Sequence, residues 1–407
     1  MAPPGSRAPL RPRDLLRAVG VDDPQVHPDG SSVVWRRTSI DADRDRTLAS
    51  LVVQPLGLGP ARVLVPPRPG VRTARWSPDG RWLAFVAPLA EAAEVFLVPA
   101  EGGEARQLTA LGGPIDDIAW SPRGDALALV LPRHLGAEPE QGFNADVLRV
   151  TRLRWKRDGV GLIGDRFDQL ALVPVAPGAE PIREPRWLVT GRADVAGPSW
   201  SPDGARLAFV ASLDDPAWER TRRSSVYVLE VDRRDATPRR LSTFADLRAS
   251  TLAWSPDGRH IALTGHARDG IGHYGAQRLW LVDSENGARR ALTDDVVGTF
   301  GNAAYTDTGG SGAQGPVWTA KGDALLAVLS ARSTVRLVRV SLAGEVTPLT
   351  PAERVVAGFD VAPGDRHAVV VAQPRDRSAD IELVDLTTDV ASRHGVRLSD
   401  EDRKSVV

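Results

Sequence analysis

The sequence predicts an all-β chain folded as a seven-bladed β-propeller of four-stranded antiparallel blades. Three observations carry this: a recurring Trp-Ser-Pro-Asp-Gly phrase, an alternating apolar run behind each copy, and a repeat length that suits one four-stranded sheet. Strong copies start at Trp76, Trp120, Trp200 and Trp254, and weaker ones at Val26, Trp318 and Asp360. Their turn glycines are Gly30, Gly80, Gly124, Gly204, Gly258, Gly322 and Gly364, giving steps of 50, 44, 80, 54, 64 and 42 residues. A period of roughly 40–50 residues with about four short strands per unit is the pattern of a propeller.

Each copy reads as a hairpin for a local reason. Proline presets φ at the first corner of a type I turn, Asp is accepted at the second, and Gly supplies the left-handed position from which the chain re-enters antiparallel pairing. Behind the hairpin comes a third apolar strand, a polar turn and a fourth strand ending near Leu-Thr. The second unit gives EVFLVPAEGG and then EARQLT; the fifth gives QRLWLVDSENG and then RRALTD. The sixth runs STVRLVRVSLAGE into VTPLT, and the seventh ADIELVDLTTD into HGVRLS. A four-stranded sheet cannot bury both faces alone, so the units must stack. Trp76, Trp120, Trp200, Trp254 and Trp318 fall at one repeated position, the end of the first strand, and are read as packing between neighbouring units. The expected organisation is an N-terminal extension over 1–20, the propeller over 21–398 and a charged tail over 399–407.

Composition excludes several functions. The chain of 407 residues has a formal net charge of −1, which leaves no electrostatic footprint for nucleic acid or an anionic membrane. No apolar run approaches the roughly 18–20 residues that cross a bilayer. The N-terminal stretch is rich in Pro and Arg and lacks the apolar core of a signal peptide, so a cytoplasmic location is expected. With no cysteine, disulfides and thiolate chemistry are out. Lysine occurs only at Lys156, Lys321 and Lys404, an arginine bias that suggests a GC-rich bacterium. No cofactor and no metal are expected.

Two insertions break the repeat, and loops on a rigid scaffold are where function concentrates. The larger, about 133–170 in the third unit, crowds Arg152, Arg154, Lys156, Arg157 and Arg166 with Trp155, Asp158 and Asp165. It reads as a surface that meets a substrate or a second domain, or as a solvated loop whose charges pair with one another. The smaller, about 265–276 in the fifth unit, holds His266, His273 and Tyr274 among four glycines and is the second candidate surface. Asp41, Asp43 and Asp45 open like a calcium loop, but Arg46 stands where Gly is needed and Val52 where Glu is needed. Gly309 to Ala313 approaches the nucleophile elbow but ends in Ala313, so it reads as a Gly/Ser-rich loop. No catalytic residue is nominated.

RDLLRAVGVDDPQVHPDG, the WSPDG hairpins and above all RLRWKRDGVGLIGDRFDQLALVPV together resemble the N-terminal propeller of the prolyl-oligopeptidase family of serine peptidases, in its acylaminoacyl-peptidase-like branch. The resemblance covers roughly residues 14 to 400. It implies a non-catalytic propeller that gates and positions short peptides for an α/β-hydrolase domain, in cis or in trans; that domain supplies the nucleophile and is expected to lie outside this sequence. The rival reading is a stand-alone scaffold that binds a protein or peptide. Homo-oligomerisation stays open.

Overall fold

In the computed structural model the described residues are 11–57, 59–136, 150, 152–158, 160–215, 217–221, 223–247, 252–267, 275–303, 315–374, 378–388 and 395–399. Among the described residues almost all regular structure is strand, with one 3-10 helix at Pro12–Arg17 and one short α-helix at Trp218–Thr221. The first four sheets are each four-stranded: from Gly20–Val26 to Arg62–Arg68, from Arg72–Trp76 to Arg106–Gln107, from Asp117–Trp120 to Arg186–Val189, and from Ala196–Trp200 to Arg239–Phe244. A fifth sheet centres on His260–His266 and Arg278–Asp283. The last sheet has nine strands, in which those up to Val346–Pro348 join those from Arg354–Val361 through one parallel pair, Val335↔Val355.

The repeated turn forms as its residues dictate. Gly80 N–H donates to Ser77 O at 2.8 Å, and Gly124, Gly204, Gly258 and Gly322 repeat the bond. All seven turn glycines have positive φ, between 69° and 81°, where a Cβ would be strained. The serine and aspartate bind each other inside the turn. Ser77 Oγ donates to Asp79 Oδ1 at 2.6 Å and accepts from Trp82 N–H, and the Ser201–Asp203 and Ser255–Asp257 pairs match it. That serine hydroxyl holds the carboxyls of Asp79, Asp203 and Asp257 below the usual carboxylate range.

The core lies between sheets. One apolar cluster joins Val34, Leu51 and Val53 of the first sheet to Leu83, Phe85 and Phe96 of the second. Further clusters join second to third, third to fourth, fourth to fifth, and fifth to the start of the last sheet. The chain then closes on itself, because Val21, Val33 and Trp35 pack with Val369, Val371 and Ile381. The tryptophans work at these joints in a specific way. Trp76 Nε1–H donates to Gln25 O at 3.2 Å, Trp120 to Arg75 O at 3.0 Å, Trp200 to Ala119 O at 3.1 Å, Trp254 to Ser199 O at 3.0 Å and Trp318 to Ala253 O at 2.9 Å. Each acceptor belongs to the preceding unit, one residue before its own equivalent of the tryptophan. Trp76 and Trp254 are buried; Trp120, Trp200 and Trp318 are partly buried.

Trp200→Ala removes both a joint-filling ring and an inter-unit hydrogen bond, and is expected to cost about 3 kcal/mol, the low end for a truncated Trp because the ring is only partly buried. Trp155, 42% exposed, should give a melting temperature close to that of the parent when changed to Ala. Thermal melts of the two variants check the ranking.

Candidate functional site

The innermost strand of each unit begins at the same end of the sheets from which the third-unit insertion leaves, since Val130 pairs Asp117 and the strand pair runs on to His134↔Arg166. At that end the innermost strands enclose an axial cavity of about 960 Å³, walled by Asp22, Asp23, Arg72, Arg75, Asp116 and Asp117 among others. The strands are bent there. Register shifts fall at Asp22/Gln25, Arg72/Arg75 and Ala196/Ser199, and the residues seven before the turn glycines, Asp23, Thr73 and Gly197, have φ of 50°, 54° and 60°. Such bulges re-aim side chains that a regular strand would bury between sheets.

Several of the charges are paired, within the first unit and across to the second. Arg36 grips Asp22 through Nε and Nη2 at 2.6 and 2.5 Å, and Arg75 Nη1 lies 2.9 Å from Asp23 Oδ1. Arg72 donates to Ile115 O at 2.9 Å. Burial pushes the carboxyls of Asp116, Asp117 and Asp194 up, with the neighbouring Asp168 adding to the effect at Asp116 and Asp194. Asp360, on the innermost strand of the last unit, is pushed up to about 6 by burial, against the pull of the Val26 and Val361 amides that donate to it. The cavity therefore offers paired and unpaired charges around tryptophan edges, a lining suited to binding charged ends of a small ligand.

The insertion is tied to the rim of this cavity. Its short hairpin pairs Lys156–Arg157 with Gly161–Leu162, and Arg157 reaches Asp168 at 2.9 Å and Asp116 at 3.6 Å. Arg154 pairs with Asp194 at 3.4 Å, and Arg152, with a side chain only 7% exposed, pairs with Glu219 at 2.7 Å. Arg166 donates to the carbonyls of Leu162 and Ile163, and Lys156 and Asp158 are exposed. Arg152, Arg154 and Arg157 thus act largely within the fold, and the structure does not gather all six named insertion residues into one cluster.

Of the fifth-unit candidates, His266 alone is corrected. His266 is 4% exposed, because the strand His260–His266 runs further than the glycine-rich sequence suggests and carries the ring inward against Gly275, where a Cβ would sit 2.5 Å from it. His273 and Tyr274 lie outside the described residues. Sequence reasoning missed the axial charges altogether. The available signal was positional: Asp23, Thr73 and Asp117 stand at one register before the turn glycine, where an innermost strand would otherwise be apolar.

No family model matches the chain. It is 28% identical over 383 residues to the uncharacterized peptidase YuxL of Bacillus subtilis, covering 92% of this chain and 56% of that protein. Its structure resembles the Pyrococcus horikoshii acylaminoacyl peptidase, with a TM-score of 0.68 and 16% identity over 95% of this chain and 53% of that one. The β-propeller domain of the Trilobed protease from Pyrococcus furiosus matches with a TM-score of 0.59 and 15% identity, over 94% of this chain and 96% of that domain. The fold is a β-propeller. The chain spans about half the length of the full-length peptidases it matches, and the axial cavity is the propeller's central channel. Among the described residues no helix is long and apolar enough to cross a membrane.

Asp360 gives the fold's stability a pH dependence. Its folded value lies above the ordinary carboxylate value, so the folded state holds the proton longer and stability falls as pH rises from about 4 to about 6. Asp360→Asn keeps an acceptor for the Val26 amide and removes the charge, and is expected to stabilise the protein at pH 7.5 by about 1–3 kcal/mol. At pH 4 the gain should vanish. Denaturant melts at the two pH values check it; an equal effect at both contradicts it.

Proposed function

We propose that residues 21–398 form a seven-bladed propeller that is the non-catalytic, substrate-handling part of a serine peptidase of the prolyl-oligopeptidase family. It would admit and position short peptides for an α/β-hydrolase domain, carried by the same polypeptide or supplied by another. The observation that carries this reading is the coverage: nearly the whole chain aligns with about half of a peptidase, and its fold matches an isolated peptidase propeller end to end.

The count of seven is supported by the seven turn glycines and by apolar clusters shared between consecutive units and between the last and the first. The channel supports the assignment of substrate class. A short peptide presents an ammonium and a carboxylate at known separation, and the channel wall alternates Asp22, Asp23, Asp116 and Asp117 with Arg36, Arg72 and Arg75. Selection by passage needs a charged lumen, and the charged lining of the channel supports that reading.

Purified residues 1–407 are expected to leave acylaminoacyl and aminoacyl p-nitroanilides intact and to remain unlabelled by a fluorophosphonate probe. Stoichiometric labelling of a serine in this chain would overturn the non-catalytic reading.

A further inference from the structure

The channel lining carries four carboxylates, Asp22, Asp23, Asp116 and Asp117, against three guanidiniums, Arg36, Arg72 and Arg75. We propose that Asp117 is the residue through which the channel recognises a ligand's ammonium group, so that peptides with a free amino terminus are taken over N-acylated ones. This assignment rests on the reading of the channel as a passage for short peptides, and it states what the passage chooses by.

Three of the four carboxylates have a cation of their own. Arg36 holds Asp22 through Nε at 2.6 Å and Nη2 at 2.5 Å, Arg75 shares Nη1 between Asp23 Oδ1 at 2.9 Å, Asp23 Oδ2 at 3.0 Å and Ala74 O at 2.7 Å, and Arg157 of the insertion reaches Asp116 at 3.6 Å. Asp117 is in no ion pair among the described residues. Its Oδ1 accepts the Ile118 amide at 2.9 Å, whereas its Oδ2 has no partner among the described residues and is not sealed from solvent. Arg72 does not fill the gap, since it donates Nη2 to Ile115 O at 2.9 Å and Nη1 to Gly70 O at 3.3 Å. Burial, with Asp23 and Asp116 adding to it, pushes the Asp117 carboxyl above the usual carboxylate range, against the pull of Arg75 and the Ile118 amide. The site is thus short of positive charge, and a ligand cation supplies it.

The rest of the wall decides which ligand fits. Pairing with Val130 and the burial of the next residue, Ile118, between the second and third sheets fix the place of Asp117. The later units bring no charge to the lining: they contribute Pro198, Gly315, Ala357, Gly358 and Val371. Such small residues let a peptide main chain lie close to the wall. The indole N–H groups of Trp76 and Trp120 are spent on Gln25 O and Arg75 O, so neither is open to a ligand anion. A carboxylate beside Asp117 would also meet the like charges of Asp23 and Asp116. Among the described residues no three His, Asp or Glu side chains are grouped to hold a metal ion, which leaves a hydrogen-bonding cation. An ammonium donates up to three N–H bonds and pairs with a single carboxylate. In an N-acylated peptide the same nitrogen is uncharged, and Asp117 stays uncompensated.

The test is NMR titration of residues 1–407 with trialanine amide, its N-acetyl derivative and n-butylammonium, at about pH 7, where an α-amino group is protonated. The Ile118 amide, bonded to the Asp117 carboxylate, reports on the site in the parent protein. Trialanine amide and butylammonium are expected to shift that resonance, and trialanine amide to bind about tenfold more tightly than its N-acetyl form. Asp117→Asn keeps an acceptor for the Ile118 amide and removes the charge, and should bind the two peptides alike. Equal binding by the parent, an unmoved Ile118 amide, or an undiminished preference in a folded Asp117→Asn variant overturns the proposal. Should the variant fail to fold, the parent decides: the Ile118 amide must move with both ammonium ligands and stay in place with the acetylated peptide. The two readings fail separately. If both peptides bind alike with Ile118 unmoved, peptide handling stands and the role of Asp117 falls; if butylammonium alone binds, and Asp117→Asn abolishes it, ammonium recognition stands and peptide handling falls.

Discussion

The indole N–H donated from one unit to the innermost backbone of the unit before it is the interaction on which the rest of this structure depends. A twisted four-stranded sheet has two faces to bury and an innermost strand with one ladder partner, so its free carbonyls must find donors elsewhere. Gln25, Arg75, Ala119, Ser199 and Ala253 supply the acceptors, and Trp76, Trp120, Trp200, Trp254 and Trp318 supply the donors. Because donor and acceptor recur at one register, neighbouring innermost strands keep one spacing. That spacing leaves a channel rather than a filled axis, and the bulges at Asp23 and Thr73 turn charged side chains into it.

Where the tryptophan is missing, other groups take over. Val26 occupies its position in the first unit and, by the pairing of the hairpin strands rather than by the turn glycine, Val361 does so in the last. There the Asp360 carboxylate accepts the Val26 amide at 2.7 Å, and aliphatic side chains packed around Trp35 fill the joint. The first, second and fourth sheets are built of consecutive strands, the third is interrupted by the insertion hairpin, and no described strand from the beginning of the chain enters the last sheet. The ring is therefore closed by packing and one buried carboxylate, and its closure is weakest where that carboxylate is charged.

The repeat was legible because turn chemistry is local: Pro, Asp and Gly act within four residues, and Gly204 and Gly258 hold the left-handed φ that the phrase demands. The insertion was legible as an interruption of spacing, yet its bonding was not. Whether Arg152 faces solvent or lies under Trp218 depends on Glu219, 67 residues away in sequence, and periodicity is silent about such pairs. His266 was misplaced because glycines around it suggested an exposed loop, while it ends a strand that is buried continuously from Ile261 onward. The channel charges were hidden for the opposite reason: on paper they interrupt short apolar strands, and only the ring shows that several such interruptions share one axis.

Native-state hydrogen exchange read by mass spectrometry tests the central claim most directly, since it reports the opening of each joint separately. The account predicts that amides of Arg354–Val361, at joints without an indole clasp, exchange before those of Asp117–Trp120 and Ala196–Trp200, where Trp120 and Trp200 bridge to their neighbours. It also predicts that Trp200→Phe, which keeps a ring and loses the N–H, speeds exchange at the joint between the third and fourth units alone. Uniform exchange around the ring, or no local effect of Trp200→Phe, would contradict it.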